Sequence, residues 1–281
     1  MGSRPDASRT PRELWNSAAS GWDAGFDWYA ENIRPLTDWF CASAASPGAR
    51  VLDVACGTGL PALALAERVG ARGRVVAADL APAMVEATRR RARAAALDNL
   101  EAVEMDAAAL GFEDGGFDAV TCACGLMFCP DPLRAVREMR RVLVPRGRIA
   151  IAVWDEPSKN AFFTVAARAI GSVLPPVATD ADSPGPFRFG APGQLERVLA
   201  EGDFEDLSID RLPMIFELES VDAYWRIFTG FAAGLADKVA GLSDGARSRA
   251  KEELRAGAEP FTVDGRLRLP ATALCALGRA P

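Results

Sequence analysis

Histidine is absent from all 281 residues. Its absence excludes a Ser-His-Asp triad, a Cys-His pair and every histidine general base. It also weakens a zinc reading of the six cysteines. Cys122, Cys124 and Cys129 cluster, but at C-x-C-x4-C spacing and with no histidine to complete a ligand set, so no metal is expected. Cys56, Cys122, Cys124 and Cys275 lie in apolar, strand-like surroundings, where cysteine behaves as a small hydrophobe. No apolar run approaches the roughly 20 residues of a membrane span. Met1 to Thr10 is polar, holds two arginines and has no apolar h-region. A cytoplasmic protein with no membrane segment is the expectation. The net charge of −6 gives nucleic-acid binding no bulk electrostatic support. Arg89, Arg90, Arg91 and Arg93 form a local basic run on a predicted helix whose other side is alanine-rich, so they are expected to be a solvated face.

What the chain does have is an ordinary globular composition, 49% hydrophobic and 25% charged, and enough length for one large domain or one domain with an insertion. The stretch around which it is organised is Val51-Leu52-Asp53-Val54-Ala55-Cys56-Gly57-Thr58-Gly59-Leu60-Pro61. Val51, Leu52 and Val54 suit a strand buried on both faces. Gly57 and Gly59 allow backbone angles and a close approach that a Cβ would block. Pro61 suits the first turn of a helix, and Leu63, Leu65, Ala66 and Val69 continue at helical spacing. Such a turn puts free N–H groups and a helix N-terminus at a strand's carboxyl end. A turn that merely closes a βα unit is the other reading of these eleven residues, and the following units separate the two.

Before this stretch, Pro11 to Ala45 is expected to be helical and is rich in aromatics: Trp15, Trp22, Phe26, Trp28, Tyr29, Trp39 and Phe40. These either cap the main domain or cover a ligand, since aromatic faces attract a cation. Ser46-Pro47-Gly48 turns the chain into the first strand. Arg74 to Asp79 is the second strand and ends on an acid about 20 residues past the glycine turn, where doubly wound folds bind ribose hydroxyls. Pro82 opens a helix with Met84, Val85, Thr88, Ala92 and Ala95 inward. Leu100 to Met105 is a third strand ending at Asp106, and Phe117 to Cys124 a fourth. Pro130-Asp131-Pro132 opens a helix carrying Leu133, Val136, Met139 and Val142. Pro145-Arg146-Gly147 is expected to turn the chain into a fifth strand, Ile149 to Val153. This alternation predicts an α/β fold, a doubly wound and mostly parallel sheet with helices on both faces. Right-handed crossovers put Asp53, Gly57, Gly59, Asp79, Asp106 and Cys122 on one rim. Beyond Trp154 the sequence predicts helices over Asn160 to Leu174, Pro192 to Leu199 and much of Val221 to Arg255. A loop is expected over Pro175 to Phe189, and strands over Ser208 to Leu218 and Leu267 to Leu277.

Together, Val51 to Pro61, Asp79-Leu80, Asp106-Ala107, Phe117 to Phe128 and Pro130 to Trp154 resemble the class I S-adenosylmethionine-dependent methyltransferases. Gly116 to Val120 and Glu138 to Gly147 look like that family's approaches to strands four and five. The chain is similar to the small-molecule enzymes of ubiquinone and menaquinone biosynthesis, well over roughly residues 15 to 155 and beyond that by layout only. The resemblance implies a seven-stranded Rossmann-like sheet. It divides the chain into a helical cap (1–45), a cofactor-binding core (46–155) and substrate-covering helices with the final strands (156–281). It implies that Asp53 and the turn Ala55, Cys56, Gly57, Thr58 and Gly59 hold the methionine end of S-adenosylmethionine. Asp79 would take the ribose, Leu80 and Met84 the adenine faces, Asp106 and Ala107 the adenine edge, and the Cys122 carbonyl the ammonium. Ala55 departs from the family, which often has its first glycine there; slightly altered turn geometry is expected. Trp22 is expected over the cofactor, and Phe128, Trp154 and Trp28 around a small, apolar or aromatic substrate. Whether two copies of the chain pair is left open.

Methyl transfer is an in-line displacement at a positively charged sulfur, so alignment and exclusion of water supply much of the rate. A base is needed only if the acceptor must lose a proton. Asp27, Tyr29, Tyr224 and Asp131 are base candidates, but structural or solvated roles explain each at least as well, and no catalytic residue is assigned. A nicotinamide-dependent oxidoreductase and a non-catalytic cofactor-binding protein on the same fold are the alternatives. Against the first, Asp53 and Cys56 interrupt the strand-to-glycine join, and Asp106 has no role there.

Overall fold

The computed structural model describes residues 9–174 and 182–281. Residues 175–181 of the expected loop, and 1–8 of the N-terminus, lie outside the described residues.

Three helices lead into the sheet: α1 (Pro11–Ala24), α2 (Phe26–Asn32) and α3 (Arg34–Ala44). Thr10 caps α1 in a reciprocal box with Glu13, and Pro11 opens it without losing a needed donor. The βα alternation follows as β1 (Arg50–Val54), α4 (Ala62–Val69), β2 (Arg74–Asp79), α5 (Pro82–Ala94), β3 (Leu100–Glu104) and β4 (Phe117–Ala123). Next come α6 (Pro132–Arg141) and β5 (Leu143–Trp154). The remainder adds α7 (Ala161–Gly171), α8 (Gln194–Glu201), β6 (Glu205–Leu218), α9 (Val221–Phe231), α10 (Leu235–Ala240) and α11 (Asp244–Ala258). A two-residue β7 (Thr262–Val263) and the long β8 (Arg266–Arg279) close the chain.

The strands form one sheet in the order β3-β2-β1-β4-β5-β8-β6, with β7 paired to β8. All neighbours from β3 to β5 are parallel, and β8 is antiparallel to both β5 and β6. The expected seven-stranded sheet is therefore present, with β7 as a short addition at the foot of β8. Burial follows the period-two rule. Leu52, Val54, Val76, Ala78 and Val120 enter the larger core, and Val51, Val75, Ala77 and Ala119 enter the core under α4 and α5.

The fifth strand differs from expectation. Pro145-Arg146-Gly147 does not precede it but lies inside it, as a bulge: the register jumps from Phe117↔Leu143 to Ala119↔Arg148. Arg146 adopts φ 61° there, and a Cβ on Gly147 would lie 2.8 Å from the Val144 carbonyl oxygen. The helical run expected from Val221 to Arg255 is three helices. It is broken at Gly234, in left-handed conformation, and again where Ser243 caps α11.

Candidate cofactor site beneath an aromatic lid

The chain order reverses at β1, which has β2 on one side and β4 on the other. β1 and β4 pair only at Val51↔Ala119, Leu52↔Val120 and Asp53↔Thr121, and beyond that register the tips separate. In open α/β sheets this divergence is where ligands sit.

Asp53 lies at the split and is completely buried. Its Oδ1 accepts a 2.7 Å hydrogen bond from the Thr121 hydroxyl, while Oδ2 is buried with no hydrogen-bond partner. Burial pushes the carboxyl up to about 7; the Thr121 bond and, more weakly, the backbone N–H of Ala62 at the start of α4 oppose this, and the negative charge of Asp79 adds to it. Asp79, at the tip of β2, is also buried and raised by desolvation. Its two oxygens accept from Gly57 N and Ala81 N, each at 2.9 Å. An ionised carboxylate has about four acceptor positions, so Asp79 retains capacity for further donors. Two desolvated, mutually repelling carboxylates at neighbouring strand tips favour a cationic ligand between them.

The glycine turn bends around this crevice. Gly57 has φ 55°, and a Cβ built on it would meet nothing within 4 Å, so the space beside it is open. Thr88 of α5 donates to the Gly57 carbonyl at 3.0 Å, tying the turn to the second βα unit. Ala55 takes the left-handed region at φ 57°. The departure from glycine is thus accommodated as strain of about 1–2 kcal/mol. Replacing Ala55 with Gly removes that strain at an entropic cost of roughly 0.5–1 kcal/mol. A small rise in melting temperature is expected from thermal unfolding; a fall would show that the Ala55 methyl group packs productively.

The remaining expected residues are distributed around this rim. Cys122 is fully buried near the tip of β4, beside Asp53. Leu80 follows Asp79 and is half-buried. Asp106 is exposed just past β3, its Oδ1 accepting from Ala108 N at 2.8 Å, with Ala107 half-buried between them. Met84 is buried against Ala19, Trp15 and Trp22 of α1, as well as Ala81.

α1 and α2 roof the rim. Asn16 of α1 accepts from Ala83 N at the start of α5 at 3.0 Å, and Trp15 meets Phe128 edge-on at 5.0 Å. Trp22 donates through Nε1 to the Phe231 carbonyl at 2.9 Å and stacks on the Phe231 ring at 4.3 Å. Trp28 donates to the Glu217 carbonyl at 2.6 Å and stacks on Phe162. Trp154 is buried against Phe163 and Phe216. Trp22, Trp28 and Trp154, with Phe162, Phe163, Phe216 and Phe231, form one aromatic layer shared by α1, α2, β5, β6, α7 and α9.

Of the basic run on α5, Arg89, Arg90 and Arg93 are exposed as expected, whereas Arg91 is not a solvated side chain. Arg91 contacts Asp23 Oδ1 at 2.6 Å, lies 3.8 Å over the Phe26 ring and donates to the carbonyls of Asp23 and Thr58 at 3.2 and 3.5 Å. Arg90 pairs with Asp23 Oδ2 at 2.7 Å. Arg89 donates to the Ala102 carbonyl and Arg93 pairs with Glu86. One partly buried guanidinium therefore fastens the lid to the glycine turn. Replacing Arg91 with Ala is expected to make the segment around α1 and α2 several-fold more sensitive to limited proteolysis; unchanged cleavage would mean the lid is held by its aromatics alone.

Thr121, Thr88, Asn16 and Arg91 were not legible as site residues. Thr121 left a signal, a single hydroxyl within an apolar strand. Its use depends on the register that places it opposite Asp53.

Among the base candidates, burial raises Tyr29 well above the ordinary phenol range and raises Tyr224, which donates to the Phe162 carbonyl. Asp131 Oδ1 caps α6 through Arg134 N at 2.9 Å. Asp27 lies in the first turn of α2. Among the described residues, no group of three or more Cys, Asp or Glu side chains is placed to hold a metal, and no helix is long and apolar enough to cross a membrane.

A family model described as a methyltransferase domain matches residues 51–147. The chain is 36% identical over 167 residues to a 2-phytyl-1,4-naphtoquinone methyltransferase of Trichormus variabilis, covering 54% of this chain and 73% of that one. It is 34% identical over 178 residues to the ubiquinone/menaquinone biosynthesis C-methyltransferase UbiE of Idiomarina loihiensis, covering 61% and 71%. A demethylmenaquinone methyltransferase of Thermus thermophilus is 44% identical over 126 residues, covering 45% of this chain and 56% of that one. Against that last relative and its Staphylococcus epidermidis counterpart, the chain spans little more than half of the relative's length. Among solved structures, Haemonchus contortus phosphoethanolamine N-methyltransferase 2 in complex with S-adenosyl-L-methionine superposes with a TM-score of 0.59 at 15% identity, covering 99% of this chain and 61% of that one. The [4+2]-cyclase SpnF gives 0.58 at 21%, covering 98% and 99%. At such identities the structures speak for the fold alone. The chain belongs to the class I S-adenosylmethionine-dependent methyltransferases, in the group of the ubiquinone and menaquinone biosynthesis enzymes.

The site suits that family's cofactor by its own chemistry. The unpartnered Asp53 oxygen can accept from an ammonium, and the open space at Gly57 admits a ligand against the backbone.

Proposed function

We propose that this chain transfers a methyl group from S-adenosylmethionine to a small, apolar or aromatic acceptor of quinol type. The single observation that carries the reading is Asp53: a buried carboxylate with one oxygen unpartnered, at the split between β1 and β4, beneath an aromatic roof. The quinone enzymes among its relatives support the acceptor class. The nicotinamide alternative has no support among them.

The cofactor, when bound, supplies an electrophilic methyl group on a positively charged sulfur. Asp53 and the Cys122 carbonyl would accept from its ammonium, and the turn from Ala55 through Cys56, Gly57 and Thr58 to Gly59 would bring backbone close to its methionine end. Asp79 would take the ribose hydroxyls with its remaining lone pairs, Leu80 and Met84 would flank the adenine, and Asp106 with Ala107 would meet its edge. Trp22 would roof the site, with Phe128, Trp154 and Trp28 walling the acceptor. The chain's work is then alignment and dehydration rather than proton transfer. Tyr29 and Tyr224 are held neutral by burial, so neither is suited to act as a base near neutral pH. An acceptor that is already ionised, or nucleophilic through carbon, matches such a site.

Incubation with S-adenosylmethionine and a reduced short-chain naphthoquinone tests this by mass spectrometry. A product one methylene heavier than the acceptor, formed together with S-adenosylhomocysteine, is expected. Tight cofactor binding with no methylated product from any quinol, phenol, amine or thiol would favour a non-catalytic cofactor-binding protein.

A further inference from the structure

Away from the strand tips, α9, α10 and α11 enclose an open surface pocket of about 510 Å³. Its lining inverts the charge of the molecule. The chain carries −6, yet Arg226, Arg247 and Lys251 line this cavity and no carboxylate does. Trp225 and Val239, both buried, contribute apolar surface.

The cations are poorly neutralised. Asp222, just outside, pairs with Lys251 at 2.6 Å and is held below the usual carboxylate range chiefly by that lysine, with Arg255 and Arg226 adding to it. Of the three lining cations, Asp222 pairs directly with Lys251 alone. The Arg226 carbonyl accepts from the Thr229 hydroxyl at 3.4 Å, but its guanidinium makes no ion pair or hydrogen bond among the described residues. Arg247 donates one bond, Nη2 to the Val239 carbonyl at 3.4 Å, which helps to cap the last turn of α10. Its Nε is buried with no partner. A guanidinium has five donors, so that capping bond leaves most of them free. Burying an unsatisfied donor is destabilising, a cost that an incoming acceptor would recover.

We infer that this cavity binds a small organic anion: a carboxylate, sulfonate or phosphate held by Arg226, Arg247 and Lys251, joined to a flat apolar body against Trp225 and Val239. A cavity of this size suits a drug-sized ligand, and guanidinium groups match planar or tetrahedral oxyanions. The inference is independent of methyl transfer.

Naphthalene-1-sulfonate is the probe, and naphthalene-1-methanol is its uncharged counterpart. Calorimetric titration of the full chain is expected to give one saturable sulfonate site that survives saturation with S-adenosylhomocysteine and weakens with added salt. The alcohol should bind at least about tenfold more weakly, and Arg226→Ala or Arg247→Ala should each cost the sulfonate roughly tenfold, as expected for a charge-assisted hydrogen bond. Arg226 is exposed, so its variant should fold; Arg247→Lys keeps the charge and should retain most of the affinity. Equal binding of sulfonate and alcohol, unchanged affinity in the Arg226→Ala/Arg247→Ala double variant, or loss of the sulfonate site on adding S-adenosylhomocysteine would each overturn the inference.

Discussion

Replacing Asp53 with Asn is expected to weaken S-adenosylhomocysteine binding by roughly 10- to 100-fold, the worth of a buried charge-assisted hydrogen bond. It should also flatten the pH dependence of that binding. Asp53 in the free protein is pushed up to about 7 by burial. Below that pH it carries a proton, which an incoming ammonium must displace. Wild-type affinity should therefore fall about tenfold per pH unit below neutrality and level off above it, while the Asn variant, with no proton to lose, shows no such slope.

Stability moves in the opposite sense. A carboxyl raised in the folded state makes the native protein hold a proton that the unfolded chain releases. The penalty is absent below the unfolded value near 4, grows as pH rises and is complete above about 7. At pH 8 the ligand-free Asn variant should consequently melt above the wild type. A variant that loses both affinity and stability at pH 8 would show that the charge is structural rather than reserved for a ligand.

Gly21→Ala should detach the lid. A Cβ at Gly21 of α1 would lie 2.2 Å from the carbonyl oxygen of Gly230 in α9, backbone against backbone, with no flexible side chain to give way. Overpacking of this kind costs about 1–3 kcal/mol. The cost should fall on lid docking rather than on the sheet, because α1 pairs with no strand. Trp22, which stacks on Phe231 next to this crossing, would lose its anchor. Faster release of S-adenosylhomocysteine, by about tenfold or more, and near-complete loss of methyl transfer are expected, with the far-ultraviolet circular dichroism of the sheet intact. Stopped-flow dissociation of the product cofactor reads this directly; wild-type release would mean that α1 does not cover the site.

The parallel half of the sheet was legible because each strand and helix there announces itself locally. Val51 to Val54 and Arg74 to Asp79 are short apolar runs closed by glycine or an acid, and Pro82 and Pro132 mark helix starts. Features that depend on distant partners were not legible. Arg91 looks like a surface arginine until Asp23, 68 residues away in sequence, is brought against it. Asp79 reads as a ribose acceptor, but part of its capacity holds the Gly57 and Ala81 amides. The bulge at Pro145-Arg146-Gly147 carries residues that make a turn elsewhere; only pairing on both sides, to β4 and β8, keeps it within a strand. Likewise the orphaned Asp53 oxygen follows from how the tips of β1 and β4 part, which no local pattern encodes.

Isothermal titration of the purified chain with S-adenosylhomocysteine at pH 8, set beside NAD under the same conditions, probes the whole account in one step. A single saturating site for the first and no heat from the second is the predicted result. Silence toward S-adenosylhomocysteine, or an equal response to both, would mean that the acids along these strand ends serve something else.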